Sequence, residues 1–463
     1  MEDRGVRATA LACAVLSSFV TPFMSSAVSV ALPAIGRRFS MNALLLGWVA
    51  TAYLLAAAMA LVPFGKMADR FGRRRFFAAG MGAHTLFSLA CALAPSGGAL
   101  IAFRVAQGLG GAMTFATALA ILTSVYPPGE RGRAIGIAAA STYLGLSLGP
   151  VLGGMLTQHL GWRSIFYANV PIAAAAFVLI VWKLKGEWRS RPSGRFDLPG
   201  SLLYALALPC LMYGLSRLPG LTGVWFLAGG LAGLALFLLR ETRAADPVLD
   251  LRLFRGNPVF AYSNLAALIN YSATFAVTFL LSLYLQYIKA LSPQSAGLLL
   301  VIQPAIMAGL SPLAGRLSDR LQARTLASAG MLCAAVGLTV FAFLGPATPM
   351  AFIASGLAVL GFGFALFSSP NTNAVMGSVG PESYGIAAAT LASMRLVGQM
   401  LSMGVALLVF TLFLGSAPVT AATHGAFLSA TRTAFAAFAV LCFGGVFASL
   451  ARGRRGSADA DTR

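Results

Sequence analysis

Two arginines, Arg104 and Arg395, sit inside long apolar stretches of this 463-residue chain. Arginine does not release its proton in a protein, so each is a fixed cation where charge is expensive. Such a group either snorkels to a polar surface, ties itself to carbonyls and amides such as Gln107 and Gln399, or meets a polar or anionic group of a solute. Counted from about Tyr384, Arg395 lies about 16 Å into its stretch at 1.5 Å per residue, close to mid-bilayer. All thirteen acids fall between the apolar stretches or at their edges. The five cysteines lie in apolar runs without a Cys-x-x-Cys pair, so neither a disulfide framework nor a metal site is expected. No phosphate-binding Gly-x-x-x-x-Gly-Lys-Ser/Thr loop is present, so neither nucleotide nor other cofactor is implied.

A second charged feature lies between apolar stretches. Gly65 to Arg75 holds five basic residues and one acid, with Gly65 and Gly72 expected to set turns. Asp69 is placed to accept backbone N–H groups near a helix start, and the arginines to hold the loop at an anionic leaflet. A shorter copy, Gly315, Asp319 and Arg320, recurs 250 residues later, and Gly136-Ile137-Ala138-Ala139-Ala140 recurs as Gly385-Ile386-Ala387-Ala388-Ala389. Two echoes at nearly one offset read as an internal duplication.

The elements that position these residues follow from composition. The chain is 58% hydrophobic and 10% charged, against roughly 25% charged in soluble domains. Apolar runs of about 20 residues recur, each long enough to span a bilayer. We count fourteen spans, near 8–31, 44–64, 76–94, 100–125, 134–156, 165–182, 199–216, 222–239, 260–287, 295–313, 325–344, 349–369, 384–413 and 430–449. The first is too long for a secretory leader. An all-α integral membrane fold is expected: a six-helix bundle over 1–183, a polar linker with two inserted helices over 184–256, and a second six-helix bundle with a short tail over 257–463. With the N-terminus inside, the inner segments hold 25 of the 33 Lys and Arg, which places both termini in the cytoplasm. The net charge of +20 therefore reflects loop placement, and no nucleic-acid partner is expected.

The second group of motifs is built on small residues. Arg104, Gln107 and Gly108 lie on span four. On span five, Gly145, Gly149 and Gly153 recur every four residues, a smooth groove for a partner helix, with Pro150 and Gly154 beside them. Proline removes a backbone donor and bends the helix.

With these residues in hand, the chain resembles the major facilitator superfamily, in its fourteen-helix drug:proton antiporter branch. Gly65, Asp69, Arg70, Gly72, Arg73 and Arg74 match the family's loop 2–3 signature. Arg104-x-x-Gln107-Gly108 is similar to its span-four motif, and Gly145 to Gly154 to the motif that marks antiporters. Trp162-Arg163 with Asn169-Val170-Pro171, and Asp197-x-x-Gly200, resemble patterns of the fourteen-helix branch. The resemblance implies a monomeric exporter of small, often amphipathic molecules from the cell, coupled to protons, its halves rocking about a central cavity. It implies no enzyme activity. The alternative is an exporter dedicated to one metabolite, an anion being one option. A third class, a non-transporting membrane sensor or enzyme, would need a soluble domain or a catalytic cluster, and the short polar stretches carry neither.

One departure is informative. Members of that branch usually carry an aspartate in span one, and the matching position here is Met24, with Ser25, Ser26 and Ser29 nearby. Met24, Tyr53, Asn270 and Arg395 are the expected pathway residues. Asn264, Tyr271, Thr274 and Gln303 are further polar groups able either to line the path or to glue helices. His84 is expected to be a packed core residue.

Overall fold

A polypeptide in hydrocarbon must satisfy its own backbone, and helices do so within each segment. The computed structural model describes residues 2–189, 197–244, 247, 249, 251–380, 383–415 and 417–452. Its first eight helices are α1 (Glu2–Phe39), α2 (Ala43–Phe71), α3 (Arg73–Ala92), α4 (Gly97–Val125), α5 (Pro128–Leu160), α6 (Arg163–Trp182), α7 (Leu198–Arg217) and α8 (Leu221–Glu241). A short α9 (Arg252–Arg255) precedes α10 (Pro258–Thr274) and α11 (Val277–Tyr287), which form one span broken at Phe275 and Ala276. Next come α12 (Pro293–Leu300) and α13 (Ile302–Arg320), broken at Val301, then α14 (Ala323–Ala342), α15 (Met350–Met376), α16 (Tyr384–Leu414) and α17 (His424–Leu450). Asn42, Ser96, Asn257 and Ser292 accept from backbone N–H groups three residues on, fixing the starts of α2, α4, α10 and α12.

Among the described residues, thirteen helices are long and apolar enough to cross a membrane. The fourteenth expected span is α3, which is 20 residues long. It opens on Arg73-Arg74-Arg75 and carries His84 and Ser88, and those groups lower its hydropathy. Successive spans run up and down. Arg7, Tyr126 and Glu130 therefore meet at one end of the bundle, where the Tyr126 hydroxyl donates to the Arg7 carbonyl and Arg7 faces Glu130 at 3.7 Å. We call this the basic end.

The charged stretch differs from its sequence reading. α2 continues through Phe71, so Gly65 lies inside a helix rather than at a turn, and a Cβ there would meet nothing within 4 Å. Only Gly72, at φ 116°, turns the chain. The second copy likewise lies in α13, which runs through Arg320. The Asp319 side chain, and Arg191 and Arg195 of the polar linker, lie outside the described residues.

Two helix pairs pack alike. α3 meets α4 backbone to backbone, a Cβ on Gly80 falling 2.8 Å from the Gly110 carbonyl oxygen. In the second half α14 meets α15 the same way, with 2.6 Å from Gly330 to the Gly363 oxygen. The α7–α8 hairpin bridges the halves. Tyr204 donates to the Ala58 carbonyl of α2 at 3.2 Å, and Thr411 of α16 donates to the Ser216 carbonyl at 3.2 Å.

Candidate functional site

Around the α2–α3 turn the Asp69, Arg73 and Arg74 side chains of the motif are each held by partners, while Arg70 is exposed. Arg73 is held across the turn by Asp69, Nε to Oδ1 at 2.6 Å. Its Nη1 donates to the Ala120 carbonyl at 3.2 Å and the Ser124 hydroxyl at 2.8 Å, on α4. Arg74 donates to the carbonyls of Ile180 and Val181 at the end of α6. Asp69 thus orients a side chain rather than capping the helix start. That role falls to Glu187, which sequence reasoning missed. The chain after α6 folds back so that Glu187 Oε1 accepts from the Arg74 backbone N–H at 2.9 Å, and the Trp188 carbonyl accepts from that of Arg73 at 3.0 Å. A Cβ on Gly72 would lie 2.6 Å from the Glu187 carboxylate carbon. The only sequence signal was an acid flanked by basic residues in the polar linker.

Arg104 does not snorkel. It is fully buried, with Nε donating to the Val49 carbonyl at 3.1 Å and Nη1 to Gln107 Oε1 at 2.7 Å. Gln107 in turn donates to Ser88, and Asn169 donates to Ser88 and meets His84 Nε2 at 3.1 Å. The guanidinium lies 4.7 Å from the centre of the Tyr53 ring. Gly108 and Gly111 let Tyr53 in, since Cβ atoms there would fall 2.4 Å from its carbonyl oxygen and 2.2 Å from its hydroxyl. Tyr53 is therefore buried beneath Arg104, and His84 is a packed residue.

The glycines of α5 divide between two partners. Gly145, Gly149 and Gly153 face Phe19, Ser26 and Ala27 of α1, while Gly154 faces the Pro293 carbonyl of α12. In return Gly297 of α12 comes so near the Pro150 carbonyl that a Cβ would sit 2.1 Å from it. This seam closes the end away from the basic one. Ser282 donates to the Ser29 carbonyl at 2.8 Å, Gln286 to that of Val30 at 2.9 Å, and His159 meets Gln294 at 3.2 Å. Toward the basic end the halves touch through Tyr143 and Ser368 at 3.4 Å, while Gly132, Gly136 and Gly385 have nothing within 4 Å of a Cβ. The molecule is sealed at one end and loose at the other.

Between them lies a cavity of about 120 Å³. Leu146 and Pro150 of α5 share its wall. Pro150 has no N–H, so the Leu146 carbonyl one turn back lacks its helical donor. Ser25, Ser26 and Ser29 line the cavity from α1, and Arg104 from α4. Tyr271, Phe275, Phe279 and Phe364 form the opposite wall with Gln303 and Gln399.

Of the four expected pathway residues, none is on that wall except through neighbours. Met24 is 1% exposed and belongs to the core, its serine neighbours taking the cavity face. Asn270 is buried, with neither amide atom hydrogen-bonded, and Tyr271 beside it lines the cavity. Arg395 stands behind Tyr271, its guanidinium 5.7 Å from the ring centre, with Nη2 donating to Thr372 at 2.6 Å and a buried Nε that has no partner. Gln399 does not hold it.

The profile of the Major Facilitator Superfamily matches residues 14–403. The chain is 33% identical over 380 residues to the riboflavin transporter RibZ of Clostridioides difficile, covering 81% of this chain and 82% of that protein. It is 35% identical over 387 residues to the multidrug resistance protein Stp of Mycobacterium tuberculosis, covering 82% and 71%. In fold it is similar to a bacterial homologue of the human lysosomal transporter Spinster, crystallised inward-facing and unoccupied. There the TM-score is 0.67 at 19% identity, over 96% of this chain and 97% of the other.

Proposed function

The chain belongs to the Major Facilitator Superfamily, and from that premise we propose that it is a proton-coupled exporter of drugs or other small amphipathic molecules. It is a multi-pass membrane protein whose family carries small solutes. The carrying observation is the cavity at the junction of the halves, sealed at one end by the α5–α12 seam and loose at the other. Alternating access needs a second arrangement, in which the seam parts and the basic end closes.

In this reading 1–183 and 257–463 move as two bundles, and the α7–α8 hairpin with its linker, within 184–256, rides across them. The basic end faces the cytoplasm with both termini, supported by its share of Lys and Arg. Asp69, Arg70, Arg73 and Arg74, with Gly315 and Arg320 in the second half, then guide closure on that side. The working unit is a monomer in the cell membrane.

A second reading, an exporter dedicated to one metabolite, is favoured by the absence of Asp or Glu from the cavity wall among the described residues. A panel of toxic compounds applied to cells that lack their own pumps separates the two. Broad protection supports drug export, protection against one compound class supports the dedicated carrier, and no protection on verified expression counts against both.

A further inference from the structure

The transporter reading leaves the solute's chemistry open, and the cavity bears on it. Its polar atoms are unevenly committed. Arg104 has two guanidinium nitrogens fixed, Nε by Val49 and Nη1 by Gln107, while among the described residues Nη2 has no hydrogen-bond partner and the residue reaches the cavity wall. The rest of the network holds that fork rigid, since Gln107 is itself anchored to Ser88. On α1, Ser26 donates its hydroxyl to the carbonyls of Pro22 and Phe23, and Ser29 donates to Ser25. Those two hydroxyls have no proton left for an anion, so on that side the charged donor is Arg104. The opposing wall is aromatic, with Tyr271 edge-on to Phe364 at 5.3 Å between ring centres. Behind it stands Arg395, whose Nε is buried without a partner. Among the described residues, none lining the cavity is acidic.

Resting on the exporter reading, we infer that the cavity takes a planar aromatic anion, its ring against the Tyr271–Phe364 wall and its anionic group on Arg104 Nη2. A donated bond from a fixed guanidinium to an anion is short and strong, and an edge-on aromatic pair lets a planar ring stack on one member and meet the other at its edge. The second cation, Arg395, raises the potential from the far side of Tyr271. A cationic solute of the same shape meets two fixed positive charges and no counter-charge.

Three naphthalene compounds of nearly equal shape test this: 2-naphthalenesulfonate, 2-naphthalenesulfonamide and 2-naphthyltrimethylammonium. Binding to the full chain in nanodiscs is read by equilibrium dialysis. The sulfonate should bind about tenfold more tightly than the sulfonamide, a difference of one hydrogen-bonded charge, and the ammonium weakest. Arg104→Gln should remove the sulfonate's advantage. Because Arg104 also braces α2 and α4, Ser25→Asp supplies an independent check. It puts a carboxylate on the wall without touching the network, and should reverse the order of sulfonate and ammonium. Equal or tighter ammonium binding by the unaltered protein overturns the inference. So does failure of all three to bind while drug export persists in cells, an outcome that leaves the exporter reading intact. Loss of drug export as well would remove both.

Discussion

Glu187 Oε1 lies 2.9 Å from the backbone nitrogen of Arg74, directly over the bare Cα of Gly72. A carboxylate from the end of the first six spans thereby caps the start of α3 and closes the most charged turn of the protein. The same carboxylate faces Arg75 at 3.7 Å. Helix caps of this kind contribute about 1 kcal/mol, and the charge adds a few tenths against the helix dipole.

From this contact, Glu187→Gln should keep an acceptor and most of the stability, while Glu187→Ala should lose about 1 kcal/mol. If the cap also sets the turn for closure, Glu187→Ala lowers maximal transport rate and leaves the half-saturating concentration unchanged, while Glu187→Gln stays near the parent rate. Initial rates across solute concentration, with thermal unfolding measured beside them, distinguish the two effects. Unaltered rates in a destabilised Glu187→Ala protein would leave the residue a structural cap only.

Gly72 offers a sharper version. Its φ of 116° disfavours any side chain, and a Cβ would strike the Glu187 carboxylate. Gly72→Ala should destabilise by about 1–3 kcal/mol. Gly65→Ala, seven residues earlier in the same motif, should be neutral or stabilise by up to about 1 kcal/mol, because the site is helical and open. Melting temperatures in one detergent test the contrast. Equal losses at both positions would show that Gly65 packs in a way this structure lacks.

The α5 seam is predicted to be intolerant of added volume. A Cβ at Gly149 would fall 1.8 Å from Ser26 Oγ and 2.8 Å from the Phe23 carbonyl oxygen. Gly149→Val should cost about 1–3 kcal/mol and part α1 from α5. Gly297→Val, pressed against Pro150, should instead wedge open the sealed end. Cysteine labelling of Ser29→Cys by an impermeant maleimide measures this, with faster labelling from the far side expected in the Gly297 variant and an unchanged rate speaking against the seam as a seal.

The Arg104 network gives a fourth expectation. Ser88 accepts from both Gln107 and Asn169. Ser88→Ala leaves two buried amide donors short of a partner, worth about 1–3 kcal/mol each. Solute binding should weaken less than in Arg104→Gln, since the arginine keeps its bonds to Val49 and Gln107. Equilibrium dialysis of the two variants side by side provides the comparison.

The spans were legible because lipid forces each apolar run into a helix, so length and hydropathy suffice. The expected duplication rested on repeated small residues, and the like contacts Gly80–Gly110 and Gly330–Gly363 lie outside those repeats. The limits were side-chain direction and long-range pairing. Met24 and Ser25 are adjacent, and without the helix phase either could have faced the cavity. Glu187 lies 113 residues from Arg74, and no local pattern connects them. Gly65 shows the opposite error, a motif glycine taken for a turn where α2 runs on without a break. Arg104 and Arg395 were found because charge in hydrocarbon is rare, yet their partners Val49 and Thr372 were not foreseeable from spacing.

A transmembrane gradient is expected to drive this protein to move solute through its central cavity. Proteoliposomes containing the purified chain, given a solute it binds and an imposed pH difference, test that most directly. Solute should accumulate on the acidic side, reverse when the gradient is reversed, and fall to the leak rate when the gradient is collapsed. Equal flux with the gradient present, reversed or absent would contradict the account.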